Sequence, residues 1–301
     1  SNVRRVGIAI AGQTGSLVPA DGKMYALRDV TATVDSLPLI ASSVMSKKIA
    51  GGADAIVLDV KFGSGAFMKR FEDAVSLAEA MVRIGHLMGR DTVAVISSME
   101  QPLGVAVGNA LEVREAIDAL AGRGPEDVME LCLTLGSLML VAARRVGGMA
   151  EGRSILEDAV ASGSALRKFS ELVEAQGGDP RVVSDPSLLP RAPVEIAVPA
   201  PASGFVHGID ALAVGKAAMV IGAGRVTKES PIDHSVGIIL QKKVGDAVEA
   251  GEPIAACHLR DPAQAATVQS MIAGAFRISQ EAPLKAELVR AVVTERGVNQ
   301  V

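Results

Sequence analysis

The segment Asp54-Ala-Ile-Val-Leu-Asp-Val60 is apolar almost without a break and runs straight into the glycine-rich Lys61-Phe-Gly-Ser-Gly-Ala-Phe-Met68. A strand buried on one face alternates polar and apolar residues. A strand covered on both faces need not, so this run reads as a parallel strand inside an α/β layer. An amphipathic stretch from Phe71 to Leu87 follows, and Thr92-Val-Ala-Val-Ile-Ser97 repeats the strand signal. Strand, glycine turn, helix and strand in that order specify a right-handed crossover in one sheet. Such sheets bind ligands at the carboxyl ends of their strands, which puts the 61–68 turn beside any site.

Other elements follow from the same signals. Val6-Gly-Ile-Ala-Ile10 is short, partly β-branched and stopped by Gly12, so a buried strand is expected there, with a loop over 12–16. Ser36 can cap a helix starting near Leu37, Pro38 suits its first turn, and Gly51-Gly52 ends it. Ser43 and Lys47 stand four apart on that helix and share a face. From Pro125 to Val173 the pattern is helical, with Leu131, Leu135, Leu138 and Met139 near helical spacing. Pro186, Pro190, Pro193, Pro199 and Pro201 then crowd a stretch unfit for a helix interior or a central strand, so a domain junction is expected near 190–200. Beyond it, short strands at 204–208, 236–240 and 253–256 and a helix at 263–275 predict a smaller α+β unit.

The balance of 49% hydrophobic and 21% charged residues, with a net charge of −4, suits neither a disordered chain nor a polybasic one. Nucleic acid and anionic membrane are therefore not expected partners. No apolar run approaches the roughly 20 residues of a membrane span, and Ser1 to Arg5 lack a signal-peptide core, so a cytoplasmic location is expected. Cys132 and Cys257 lie too far apart for metal-ligand spacing, and His86, His207, His234 and His258 make neither a metal motif nor a triad. The turn at 61–66 could offer amides to an anion or could simply need positive φ, and both readings stand. The loop Gly222-Ala-Gly-Arg225 is open in the same way.

Tyr25-Ala-Leu-Arg-Asp-Val-Thr-Ala-Thr-Val and the following Ser-Leu-Pro-Leu-Ile-Ala-Ser-Ser-Val-Met-Ser-Lys-Lys48 gather an arginine fork, a lysine and hydroxyls between apolar segments. Those groups match a planar heterocycle carrying two carbonyls with a ring N–H between them. An ordinary solvated helix face would have the same composition.

Taken with Ala53 to Met68, Gln101-Pro-Leu-Gly-Val-Ala-Val-Gly-Asn-Ala-Leu-Glu-Val-Arg-Glu115, Gly222-Ala-Gly-Arg225 and Val244-Gly-Asp246, these motifs resemble the thymidine and pyrimidine-nucleoside phosphorylase family over essentially the whole chain. The resemblance implies an α/β fold of the nucleoside-phosphorylase and phosphoribosyltransferase kind. Residues 1–22 would begin the α/β domain, 23–53 would be a segment of a small helical domain, 54–190 would complete the α/β domain, and 191–301 would form a barrel-sandwich-like α+β domain. It implies phosphorolysis of thymidine, uridine or deoxyuridine to the free base and a (deoxy)ribose 1-phosphate, without an organic cofactor and with inorganic phosphate as co-substrate. Arg28, Ser43 and Lys47 would bind the base, and Tyr25 and Phe67 would line the same pocket. The carbonyls of Leu103 and Ala106 and the carboxylate of Glu115 would hold a monovalent cation, K+, and the full-length family implies a homodimer.

The pattern also departs from the family. Its phosphate loop and proposed catalytic histidine have no counterpart here, so no catalytic residue is assigned and little activity is expected of this polypeptide alone. Two rival readings stand beside it. A phosphoribosyltransferase would need a diphosphate and metal loop that the sequence lacks. A lipoyl or biotinyl carrier is suggested by Lys243 to Ile254, but Ala256-Cys-His-Leu-Arg-Asp261 offers no lysine to modify.

Overall fold

Among the described residues three helices precede the first strand: α1 (Asn2–Val6), α2 (Pro19–Thr31) and α3 (Leu37–Ala50). The structure is a computed structural model that describes residues 2–12, 17–31, 33, 36–225, 227, 230–284 and 286–300, with backbone only at 25, 26 and 28–30. Pro38 occupies the first turn of α3, where no amide donor is needed. The Ser36 carbonyl accepts from Ile40 N at 2.9 Å, although its hydroxyl makes no capping bond. Lys47 and Lys48 stand in the last turn, where they offset the negative end of the helix dipole, and Gly52 leaves the helix at φ +77°.

Next come β1 (Ala55–Phe62), α4 (Phe71–Leu87) and β2 (Asp91–Ser98). The two strands pair in parallel, from Ala55 opposite Asp91 to Phe62 opposite Ser98, as the strand-turn-helix-strand pattern predicts. Ile56, Leu58, Val60 and Phe62 face Ala74, Leu77, Ala78 and Met81 of α4 and share one core with Ala41 and Met45 of α3. Each large apolar side chain buried this way contributes about 1.5–3 kcal/mol. After β3 (Ala106–Val107) and α5 (Asn109–Leu120), helix α6 (Glu126–Ala142) lays Leu135 and Leu138 over Val57, Val93 and Val95 on the opposite face. Both faces are therefore covered, which is why the two strands read as unbroken apolar runs. Helices α7 (Met149–Ala161), α8 (Ser164–Ala175) and α9 (Arg181–Ser184) complete this half.

The remaining elements are β4 (Val194–Pro199), β5 (Gly204–Ile209), α10 (Ala211–Val220), β6 (Gly237–Leu240), β7 (Ala247–Val248), β8 (Pro253–Leu259), α11 (Ala265–Ala275), β9 (Phe276–Ser279), β10 (Val289–Thr294) and β11 (Gly297–Gln300). They supply an antiparallel sheet in the order β3-β6-β8-β4 and a three-stranded sheet β7-β5-β9. Val198, Val206, Ile238, Ile254 and Leu259 from these sheets form one core with Val214 of α10 and Val268 and Ile272 of α11. No helix among the described residues is long and apolar enough to cross a membrane.

The structure changes two expectations and bears on two further readings. Val6 to Ile10 is not a buried strand: α1 ends at Val6, Ile10 is 67% exposed, and its backbone bonds the Gln176 side chain rather than a neighbouring strand. The proline-rich junction contains a strand, β4, at the edge of its sheet and not at its centre, and the register of its pairing with β8 breaks where Pro199 meets Pro253. The C-terminal unit is not closed on itself, because β10 pairs antiparallel with β2 and carries β11 with it, giving the order β1-β2-β10-β11. The carrier-domain reading fails as well, since Ala256 to Leu259 is the interior of β8 and Cys257 is fully buried, not the tip of a hairpin.

Candidate functional site

The i, i+4 spacing of Ser43 and Lys47 on α3 becomes direct contact. The Lys47 ammonium donates to the Ser43 hydroxyl at 2.9 Å and to the Ser43 carbonyl at 2.8 Å. It also pairs with the Asp21 carboxylate of α2 at 2.6 Å, in a setting where Asp21 is 11% and Lys47 25% exposed. Ser43 is buried as well, on a different face of α3 from Ala41 and Met45, which anchor the helix in the core under β1. The result is a charged donor and a hydroxyl fixed side by side on the helical segment, against a partner that spacing could not reveal. The side chains of Tyr25 and Arg28 lie outside the described residues; their backbone belongs to α2, as Asp21 does.

Phe67 sits apart, on the turn between β1 and α4, with its ring 65% exposed. The link between it and the Ser43–Lys47 pair is α4, which that turn opens and on which α3 packs. The same turn settles one open reading. Gly63 N donates to Met68 O, Gly65 N to Met99 O, Ala66 N to Gly63 O, and Ser64 N to the Glu100 carboxylate. Its amides are engaged within the chain, so they form a tight turn and not an anion cradle. Gly63 has φ +115°, and a Cβ on Gly65 would lie 2.8 Å from Ala211 Cβ, so both glycines are required by backbone shape and close approach to α10. Beneath the turn, at the carboxyl ends of β1 and β2, Lys61 pairs with Asp59 at 2.6 Å. Buried Ser97 bridges them, accepting from Lys61 at 2.9 Å and donating to Asp59 at 2.5 Å.

The 101–115 segment wraps its own carboxylate. Glu115 Oε1 accepts from Val105 N at 2.7 Å and Ala106 N at 2.9 Å. Burial pushes the Glu115 carboxyl above its ordinary value, against the pull of these two amides and of Lys243. Lys243 comes from the turn before β7 and donates to Pro102 O at 2.5 Å, Gly104 O at 2.6 Å and Asp127 Oδ2 at 2.9 Å. Val244 N bonds the Gln101 side chain at 3.0 Å. Carbonyls and a carboxylate thus do gather around a positive charge here, and oxygen donors of this kind suit a hard monovalent cation. The cation they hold is the chain's own ammonium, one turn of backbone away from the Leu103, Ala106 and Glu115 set. Among the described residues no group of three or more His, Cys, Asp or Glu side chains could hold a metal ion.

Two surface hollows lie elsewhere. One of about 540 Å³ runs between Val107, Glu112, Phe169 and Met219 and is mostly apolar; the Glu112 carboxylate there is taken by Gly108 N. The other, about 640 Å³, is lined by Asp233, His234, Ser235 and Arg260, and Arg260 with Ser235 holds the Asp233 carboxyl far below the usual carboxylate range. Neither includes Ser43, Lys47 or Phe67.

Comparison with known proteins gives the family. A family model described as the glycosyl transferase family a/b domain matches residues 1–166, and one described as the pyrimidine nucleoside phosphorylase C-terminal domain matches residues 205–279. The chain is 56% identical over 296 residues to the pyrimidine-nucleoside phosphorylase of Bacillus subtilis (strain 168), covering 97% of this chain and 67% of that protein. It is 62% identical over 247 residues to the enzyme of that name from Geobacillus stearothermophilus, covering 82% and 57%, and 59% identical over 251 residues to the one from Staphylococcus haemolyticus (strain JCSC1435), covering 83% and 58%. The chain therefore spans about two thirds of the first relative and less of the other two.

Proposed function

Because this chain belongs to the pyrimidine-nucleoside phosphorylase family within the glycosyl transferases, we propose that it carries the base-binding residues of an enzyme that cleaves pyrimidine nucleosides with inorganic phosphate. A phosphate oxygen attacks C1′ of the sugar, the C1′–N1 bond breaks, and its electron pair leaves on the pyrimidine. The products are the free base and a (deoxy)ribose 1-phosphate. Negative charge then builds on the ring and its carbonyl oxygens, so donors aimed at those oxygens act most strongly in the transition state.

The observation that carries this reading is the Lys47–Ser43 contact at 2.9 Å, a cationic donor beside a hydroxyl that can both accept and donate. In this proposal Lys47 and Arg28 donate to the carbonyl oxygens, Ser43 reads the ring N–H between them, and Tyr25 and Phe67 border the ring. Thymidine, uridine and deoxyuridine are the proposed substrates. A homodimer, a cytoplasmic location and a bound K+ near Leu103, Ala106 and Glu115 are part of the same proposal, the cation supported by the way residues 105 and 106 fold against the Glu115 carboxylate.

Calorimetric titration with uracil and thymine tests the site. Ser43→Ala and Lys47→Met are each expected to weaken binding about 10- to 100-fold, the range for losing a hydrogen bond that involves a charged group. Equal affinity for wild type and both variants would overturn the assignment.

A further inference from the structure

An ammonium has three hydrogens, and those of Lys47 have three acceptors: the Asp21 carboxylate at 2.6 Å, the Ser43 carbonyl at 2.8 Å and the Ser43 hydroxyl at 2.9 Å. The group that would donate to a pyrimidine is already saturated. Any ring carbonyl that takes a hydrogen from Lys47 has to replace one of these three.

The three are not equally replaceable. The Ser43 carbonyl is the acceptor that the lysine side chain meets one turn back along its own helix, and losing Asp21 would leave two opposite charges, largely out of water, without each other. The hydroxyl is different. When its Lys47 hydrogen is withdrawn, Ser43 Oγ can accept a new one from a ring N–H, so no buried polar atom is left unpaired.

Resting on the base-site reading above, we propose that Asp21 is the positioning residue of that site. It holds the Lys47 ammonium in place while the base binds by exchange. In the exchange, Ser43 Oγ gives up the Lys47 hydrogen and takes the ring N–H, and Lys47 turns the released hydrogen to the adjacent ring carbonyl. One hydrogen bond inside the protein becomes two to the base. Asp21 touches neither the base nor the reacting atoms, and its effect passes through Lys47.

Two measurements on the 301-residue chain test this. In the first, acetylation of Lys47 by an N-hydroxysuccinimide ester is followed by mass spectrometry, with exposed Lys48 as the internal standard. Asp21→Asn is expected to speed Lys47 labelling about tenfold relative to Lys48, and Asp21→Glu to restore the slow rate. In the second, uracil is titrated into wild type, Asp21→Asn, Lys47→Met and the double variant. Asp21→Asn is expected to weaken binding about tenfold in the wild-type background and to have no further effect once Lys47 is gone. An unchanged Lys47 labelling rate in Asp21→Asn, or additive losses in the double variant, would overturn the proposal. If wild type bound no uracil at all, the base-site reading would fall, and the labelling rates would still decide whether Asp21 holds Lys47.

Discussion

Replacing Lys243 with methionine isolates one interaction between the two halves of the chain. Methionine keeps most of the apolar stem and removes the ammonium from Pro102 O, Gly104 O and Asp127 Oδ2. Hydrogen bonds to a charged group contribute about 1.5–3 kcal/mol each when well shielded. Lys243 and Asp127 are 21% and 23% exposed, so water can reach the freed oxygens and only part of that sum is lost. Asp127 also keeps the amides of Gly104 at 3.1 Å and Val128 at 2.9 Å. The net loss is about 2–3 kcal/mol, and at roughly 2–4 °C per kcal/mol for a chain of this order the unfolding midpoint should fall by about 4–12 °C. Scanning calorimetry measures the midpoint. Hydrogen exchange at the Gly104, Val105 and Ala106 amides reports whether the loop loosens first. A midpoint within about 1 °C of wild type, with exchange unchanged at those amides, would refute the claim that this ammonium orders the loop.

Two further outcomes follow from charge and burial. The Asp233 carboxyl is held low mainly by Arg260, so its contribution to stability is present in full above the ordinary carboxylate value near about pH 4 and is lost as pH falls through the depressed native value. In denaturant titrations from pH 6 down to about pH 2, the gap between wild type and Asp233→Asn should therefore be widest at pH 6 and narrow with acid; a gap that widened would reverse the sign of the argument. Burial pushes the Cys257 thiol up to about 12, whereas Cys132 is exposed, so a disulfide reagent should label Cys132 in the native state and Cys257 only after unfolding. Native labelling of Cys257 at the Cys132 rate would contradict its place in the core.

Local signals carried as far as local physics reaches. Phe71 to Leu87 was legible as a helix because its apolar residues recur at helical period, and β1 and β2 because their runs are short, apolar and bounded by a glycine turn and helix ends. Helix α10 was not. Ala211 to Val220 consists mainly of small apolar residues around Gly215 with only Lys216 charged, so it has little of the polar face by which a surface helix is recognised. The site divides in the same way. Ser43 and Lys47 are one helical turn apart and could be joined on paper, while Asp21 reaches Lys47 from another helix at a separation that no periodicity encodes. Lys243 meets Asp127 across 116 positions, a pairing created by the packing of a turn on a loop. Val6 to Ile10 had the composition of a strand, but a strand also needs a neighbour, and composition does not supply one.

The seating of β10 against β2 has a consequence for biogenesis. A chain emerging from the ribosome can pair β1 with β2 early, but one side of β2 stays open until a segment made roughly 190 residues later arrives to close it. During that interval Ala94, Val95 and Ile96 belong to a strand whose second row of amides and carbonyls has nothing to bind. Nascent chains stalled before Val289 should accordingly be the ones that chaperones retain, and a premature stop within β10 should be felt at the centre of the first sheet and not merely at its rim.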